Sequence, residues 1–363
     1  MTQYSDSTLT IHLDRISSNY SILSNISKAK SECAAAVKAN AYGLGIKEVS
    51  LALKKSGCNK FFVATLDEAI ELREILPEVD IYVLNGIGNK QNDIFGNYKL
   101  IPVLNSKEQI NQWADYTKSI CENLPSIIHV DTGINRLGIS YKEFNQVIQQ
   151  IDINKSLNVK YIMSHLACAD DPNHELNKLQ LERVNKISHL FPDIKISLAN
   201  SCGIFLGNDY HFDLLRPGIS LYGGNPTPGY ENPMEQVISL KSNILQIRKI
   251  DSSDRLGYGA TANLPKGGLV AVIAIGYADG YQRSLSNKGK CFIDGKIVPI
   301  LGRVSMDMSI IDVSSLPENS LYQGKEVEII GDNITIDDIA SDAGTISYEI
   351  LTQLGSRFRR VYR

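Results

Sequence analysis

No two of the six cysteines form a C-x-x-C pair; Cys33, Cys58, Cys121, Cys168, Cys202 and Cys291 are scattered along 363 residues. Disulfide frameworks and zinc sites need closer clustering or ligand-type spacing, so reduced, mostly buried thiols are expected. Charge of one sign is also lacking, since 37 basic and 40 acidic residues leave a formal net charge of -3. That balance offers no footprint for nucleic acid or an anionic membrane. No window reaches the uninterrupted apolar length of a membrane span, and the opening MTQYSDSTLTIHLDR lacks the basic-then-apolar order of a secretory signal. A cytoplasmic protein is the expectation. Internal repeats and low-complexity tracts are missing too. What remains is ample core material, 43% of the residues, on a chain too long for one small domain.

That material is arranged in a rhythm. Short apolar runs occur at Cys33–Val37, Phe61–Ala64, Ile81–Leu84, Leu100–Leu104, Ile127–Val130, Val159–Met163 and Ile194–Ala199, with a weaker one at Leu214–Leu215. Between them lie segments of helical spacing: Asp14–Lys28, Val49–Lys55, Leu66–Leu76, Lys107–Cys121, Tyr141–Ile151 and Glu175–Leu190. Alternation of this kind means parallel strands joined by crossover helices, and about eight repeats favour a closed (β/α)8 barrel over an open sheet. The proline-rich stretch Asn225–Pro233 breaks the pattern. Beyond it, Val237–Ile250, Leu269–Tyr277, Lys290–Ile300, Ser309–Val313 and Glu326–Ile330 read as strands, followed by a helical insertion at Thr335–Leu354. The spacing therefore predicts a barrel over residues 1–230 and a smaller, mainly β domain over 231–363.

Barrel active sites gather at the carboxyl ends of the strands. Just past the apolar runs stand Lys38, then Asp131 with Arg136, then His165, then Asn200 with Ser201, then Arg216 with Gly218 and Ile219. Each alone has an ordinary explanation. A strand-end lysine usually reaches solvent, and two strand-end turns need be no more than turns, with Ser201 as a helix cap. At equivalent ends of successive strands, however, they form a ring of cations, an imidazole and hydroxyls suited to an anionic ligand. Phosphate sites recur after the seventh and eighth strands of such barrels. An amine emerging from a small, apolar strand also has its pKa lowered toward nucleophilic use. His165 has no second ligand at metal spacing, so no metal is expected there. Tyr42, Tyr222, Tyr258 and Tyr277 would ordinarily be core or interface aromatics, yet Tyr258 sits in a glycine-flanked GYGAT with little to pack against.

AVKANAYGLG, VDTGINRLG, ANS, RPGISLYG, GYGAT, IGYADGY and GRVSMD occur in this order between residues 33 and 307, and SYEILTQL and the terminal RRVY continue the pattern. In this respect the chain resembles the alanine racemases, the fold-type III enzymes that bind pyridoxal phosphate. The resemblance implies pyridoxal 5'-phosphate on Lys38, with Tyr42, Ser201, Gly218 and Ile219 at its phosphate and Asn200 beside them. It implies Arg216 against the pyridine nitrogen, His165 between Arg216 and Tyr258 of the partner subunit, and Arg136 near the substrate carboxylate with Met306 and Tyr277. It also implies a homodimer with shared sites that interconverts L- and D-alanine for peptidoglycan, using Lys38 and Tyr258 as two bases. Removal of a proton from one face and its return on the other requires two differently placed groups.

Two positions depart from the family pattern. Many members carry a carbamylated lysine immediately before V-D-T-G that orients the arginine; the residue aligned with it here is His129, which forms no stable carbamate. Arg136 must then be held otherwise, by a chloride or a water. Ser305 stands where cysteine is frequent, a small change. The runner-up readings are a racemase of another small amino acid such as serine and a non-catalytic barrel that binds the cofactor. A related decarboxylase would place a carboxylate where Arg216 stands.

Overall fold

A computed structural model describes residues 4–26, 31–150, 156–251 and 254–363. Every apolar run read as a strand is one. Glu32–Cys33 with Ala35–Ala36, Lys60–Val63, Asp80–Val83, Ile101–Leu104, Pro125–Asp131, Asn158–Met163, Lys195–Ser197 and Leu214–Leu215 run parallel in this order. The ring closes where Leu214 pairs with Glu32 and Leu215 with Cys33. On its other side the amides of Asp213 and Arg216 donate to the carbonyls of Ile196 and Ala199, each at 3.0 Å. Helices cover the outside, so strands such as Phe61–Val63 and Ile81–Val83 are buried on both faces and read as continuous apolar runs.

The expected helices form at Leu13–Ile26, Ile46–Lys55, Leu66–Ile75, Lys107–Ser119, Tyr141–Gln150 and Glu175–Leu190. Thr65 and Glu68 form a capping box, and Ser106 accepts from the Gln109 amide. One helix, Asn92–Asn97, was not expected; it is six residues long and buries only Phe95, too little to show a period. Of the cysteines, Cys58 and Cys291 are buried, Cys121 is exposed and the others are half-buried. No described helix is long and apolar enough to cross a membrane.

The second sheet is built on one long strand, Ile238–Lys249. Its first part pairs with Glu326–Ile330 and its second with Leu269–Ile273. Ser309–Asp312, Lys296–Leu301 and Lys290–Ile293 complete an antiparallel circuit back to Glu326–Ile330, which leaves few open edges. The first and last strands of the chain, Ser7–Ile11 and Arg359–Tyr362, join this sheet side by side in parallel. The chain thus enters the barrel from the second sheet. Thr335 and Asp338 form a capping box, and Gly344 (φ 74°) divides the helical insertion into Ile336–Ala343 and Ser347–Thr352. The Arg360 guanidinium donates to the Gly43 carbonyl at 2.6 Å, fastening the last strand to the turn that follows Lys38.

At the amino ends of the barrel strands, Glu32 accepts from Lys60 (2.7 Å), Lys195 (3.0 Å) and the Tyr161 hydroxyl (2.9 Å). Burial pushes this carboxyl up, but the three hydrogen bonds outweigh it and hold the pKa at about 2. A depressed carboxyl pKa stabilises the fold above the unfolded value and loses that stabilisation as pH falls through the folded one. Because the side chain is 42% exposed, solvent screening reduces the effect to about 1 kcal/mol. Glu32→Gln should therefore lower the unfolding free energy by about 1 kcal/mol at pH 7. In urea titrations the deficit should fade between pH 4.5 and 2; a deficit independent of pH would remove the charge from the explanation.

Candidate active site

Lys38 follows the first barrel strand directly, half-buried, and its ammonium has no bonded partner among the described residues. Burial lowers its pKa, the charge of Arg136 lowers it further, and Glu68 works against both. The next four residues, Ala39, Asn40, Ala41 and Tyr42, all have φ between 52° and 55°, one turn of left-handed helix ended by Gly43 at 84°. For residues with a Cβ this costs about 1–2 kcal/mol each, so neighbours must hold the turn. The Ala39 amide donates to Glu68 (2.7 Å), the Ile46 amide to the Asn40 side chain (2.8 Å) and the Gly43 amide to the Ala39 carbonyl (2.8 Å). This reversed turn sends the Tyr42 ring inward, where it stacks on Tyr222 at 4.5 Å.

Tyr42 ends at Gly218, where an added Cβ would run into its hydroxyl. Beside it, the buried Ser201 Oγ accepts from the amides of Gly218 (2.8 Å) and Ser220 (3.2 Å), so its own proton must point elsewhere. The Ile219 amide has no hydrogen-bond partner among the described residues. Phenol, hydroxyl and amide donors thus meet where only glycine fits, an arrangement suited to a phosphate. The Gly218 amide is already engaged with Ser201, so its residue contributes space. Ser201 is not a helix cap; the Asn200 side chain closes this turn, accepting from the Gly203 amide at 2.9 Å.

Across the mouth, Arg216 is buried and held by several acceptors. It donates to Ser197 Oγ, to the carbonyls of Ser164 (2.6 Å) and Leu198 (3.3 Å), and to His165 Nδ1 (3.4 Å). Burial lowers the guanidinium pKa to about 9, which still leaves it charged at neutral pH. Burial, then Arg216 and Arg136, lower His165 well below its ordinary value. With Nδ1 accepting from Arg216, the neutral imidazole carries its proton on Nε2. Asp131 folds the following loop, its carboxylate accepting from the amides of Gly133 (2.8 Å) and Arg136 (3.1 Å).

The residues expected from the second domain lie elsewhere. Tyr258 is 72% exposed, Met306 53% and Tyr277 42%. The Gly302–Met306 segment brings them to one surface, since Gly257 packs on Gly302 and Arg303 while the Tyr277 and Ala278 amides donate to the Ser305 and Met306 carbonyls, each at 3.0 Å. No described hydrogen bond, ion pair or cavity joins them to Lys38 within one chain. An open cavity of about 470 Å³ beside Lys38 and Tyr42 is instead walled by Thr345, Ile346, Tyr348 and Glu349. Sequence reasoning missed these, and also Glu68, Ser164 and Ser197. SYEILTQL reads as the end of the helical insertion and as part of the family likeness, and neither reading places it at the site.

A parallel barrel that gathers an amine, a buried arginine–imidazole pair and a phosphate-sized cradle at one mouth, with a closed β domain attached, defines a class of two-domain barrel enzymes. The chain matches the alanine racemase N-terminal domain over residues 11–226 and the C-terminal domain over 237–362. It is 43% identical to alanine racemase of Rhodospirillum rubrum over 98% of this chain and 95% of that one. It is 46% identical to catabolic alanine racemase of Agrobacterium fabrum over 98% and 91%. The structure of alanine racemase from Bartonella henselae with covalently bound pyridoxal phosphate superposes with a TM-score of 0.94 at 39% identity, covering 98% and 99% of the two chains. The chain belongs to the alanine racemase family.

Proposed function

We propose that this protein interconverts L- and D-alanine with pyridoxal 5'-phosphate carried covalently on Lys38. What carries the reading is the half-buried Lys38 amine, unpaired among the described residues, beside the Tyr42–Ser201–Ile219 cradle, in a chain that matches both domains of the family. Bound there, the cofactor supplies the electron sink that makes a Cα proton removable. Tyr42, Ser201 and the Ile219 amide would hold its phosphate, with Gly218 leaving room and Asn200 fixing the turn. Arg216 would face the ring nitrogen. Because a guanidinium does not readily give up a proton, Arg216 would leave that nitrogen unprotonated and so favour prompt return of the proton over side reactions.

Lys38 would move the proton on one face of Cα. Tyr258 of the partner subunit would serve the other, its phenolic oxygen accepting from the Nε2–H of His165, which Arg216 fixes in that tautomer. Arg136 and the backbone amide of Met306 of the partner subunit would receive the substrate carboxylate, and Tyr42, Tyr277 and Met306 would shape a small pocket suited to alanine. We propose a cytoplasmic homodimer that provides D-alanine for peptidoglycan. Its barrel half, 1–230, carries the cofactor and its β half, 231–363, completes the partner's site. A chiral assay of the purified holoprotein against a panel of L-amino acids should give alanine the highest kcat/KM, with serine slower. No turnover of alanine would refute the reading.

A further inference from the structure

Tyr277 and Met306, which the proposed reaction gives to the partner's site, stand on two turns of the second domain that meet backbone to backbone. Gly276 opens the first, and a Cβ there would run into the Ser305 and Met306 carbonyls. The buried Asp279 carboxylate closes that turn, accepting from the Gly276 amide at 3.0 Å. The second turn spans residues 305–308, where the amide and hydroxyl of Ser305 both donate to the Met308 carbonyl. At its tip the Met306 amide has no hydrogen-bond partner among the described residues, and the Asp307 side chain beside it is exposed.

One side chain spans both turns. Arg357 donates from Nε (2.7 Å) and Nη2 (3.0 Å) to the two oxygens of Asp279, and from Nη1 to Asp307 at 2.7 Å. Two edges of one planar guanidinium thus hold two carboxylates at a fixed separation, which the single nitrogen of an ammonium cannot do. The segment that carries Arg357 is itself anchored to the first turn. The Gly355 amide donates to the Asp279 carbonyl at 2.9 Å, and a Cβ on Gly280 would strike the Gln353 carbonyl. The pair with buried Asp279 accounts for an arginine here on grounds of stability. The arm to Asp307 does not, because exposed ion pairs contribute little to stability. What that arm fixes is the turn bearing the free Met306 amide.

We infer that Arg357 is a positioning residue for the partner's site. It sets the Tyr277 and Met306 turns at one spacing, so that the Met306 amide is already placed to donate to the substrate carboxylate. This rests on the proposed reaction and names what holds its substrate-facing amide in position.

The test uses the full-length holoprotein. Arg357→Ala would leave the buried Asp279 carboxylate unpaired and destabilise the domain, so two milder variants are used. Arg357→Lys keeps the charge without the fork, and Asp307→Ala removes only the exposed arm. Each should keep the absorbance of bound cofactor, raise the KM for alanine about tenfold and leave kcat within about threefold, as loss of one hydrogen bond in binding does. Asp307→Asn keeps an acceptor for Nη1 without the charge and should recover most of the loss. Propionate, a carboxylate with no amine to react, reads binding apart from turnover; its Kd by calorimetry should rise about tenfold in Arg357→Lys and Asp307→Ala. Wild-type KM and Kd in both variants, a loss confined to kcat, or equal losses in Asp307→Asn and Asp307→Ala would overturn the proposal. Mixing shows which site Arg357 serves, since its segment also continues the helix Ser347–Thr352 beside the cavity of its own chain. In an equal mixture of Lys38→Ala and Arg357→Lys chains, about half of the working sites should regain the wild-type KM. If every working site kept the raised KM, Arg357 would act within its own chain and the proposal would fall. If the wild-type protein did not racemise alanine, the reaction reading would fail while the propionate Kd still reported on Arg357.

Discussion

Lys38→Ala should abolish racemisation, lowering kcat by about four orders of magnitude or more, since covalent attachment and one acid–base group disappear together. The protein should also lose the visible absorbance of bound cofactor, a readout independent of turnover. Lys38→Arg separates two explanations for the loss. It preserves a cation beside Arg136 and Glu68, so a lysine needed only for its charge would tolerate the exchange. A guanidinium is a poor nucleophile, so a lysine needed for a covalent bond would not. Both variants should be inactive, and racemisation near the wild-type rate in either would sink the assignment. In the wild type, burial and Arg136 ease loss of the Lys38 proton, opposed by Glu68. The limb of the pH–rate profile that reports the free amine should therefore rise at lower pH than an ordinary lysine permits.

The barrel was legible because burial of its strands on both faces forces continuous apolar runs, and each run ends where a polar residue can face the mouth. Lys38, His165, Arg216 and Ser201 were found by that rule. The rule fails for residues that act on the site from behind or from far along the chain. Ser164 and Ser197 read as ordinary strand residues, yet both accept from Arg216. Glu68 reads as the acid of a capping box, and it is one; its second oxygen also holds the Ala39 amide in the left-handed turn. No sequence pattern announces four consecutive positive φ values at Ala-Asn-Ala-Tyr, because the conformation is imposed by contacts from other elements. The first strand was passed over for a related reason. Ser7–Ile11 alternates buried and half-buried positions over only five residues, and its partners, Ile238–Lys249 and Arg359–Tyr362, lie more than two hundred residues away.

Tyr258→Phe carries the second large effect, and its direction tests the geometry of the reaction. Without the phenolic oxygen, the Nε2–H of His165 has nothing to donate to, and the face served by Tyr258 has no group to move a proton. Lys38 is untouched. In deuterium oxide the variant should lose Cα exchange from L-alanine by a factor of about 10²–10⁴, the usual contribution of one acid–base group, and keep exchange from D-alanine. Symmetrical residual exchange would remove Tyr258 from the role of second base. Mixing then locates the tyrosine that matters. If each site joins Lys38 of one subunit to Tyr258 of the other, a dimer of one Lys38→Ala chain and one Tyr258→Phe chain has both defects in one site and none in its second. Random reassociation makes half the dimers mixed, so about a quarter of wild-type activity should return from two inactive proteins. If Lys38 and Tyr258 of the same chain worked together, every site would keep one defect and mixing would restore nothing. The exposed position of Tyr258, with no described contact to Lys38 in its own chain, favours the first outcome.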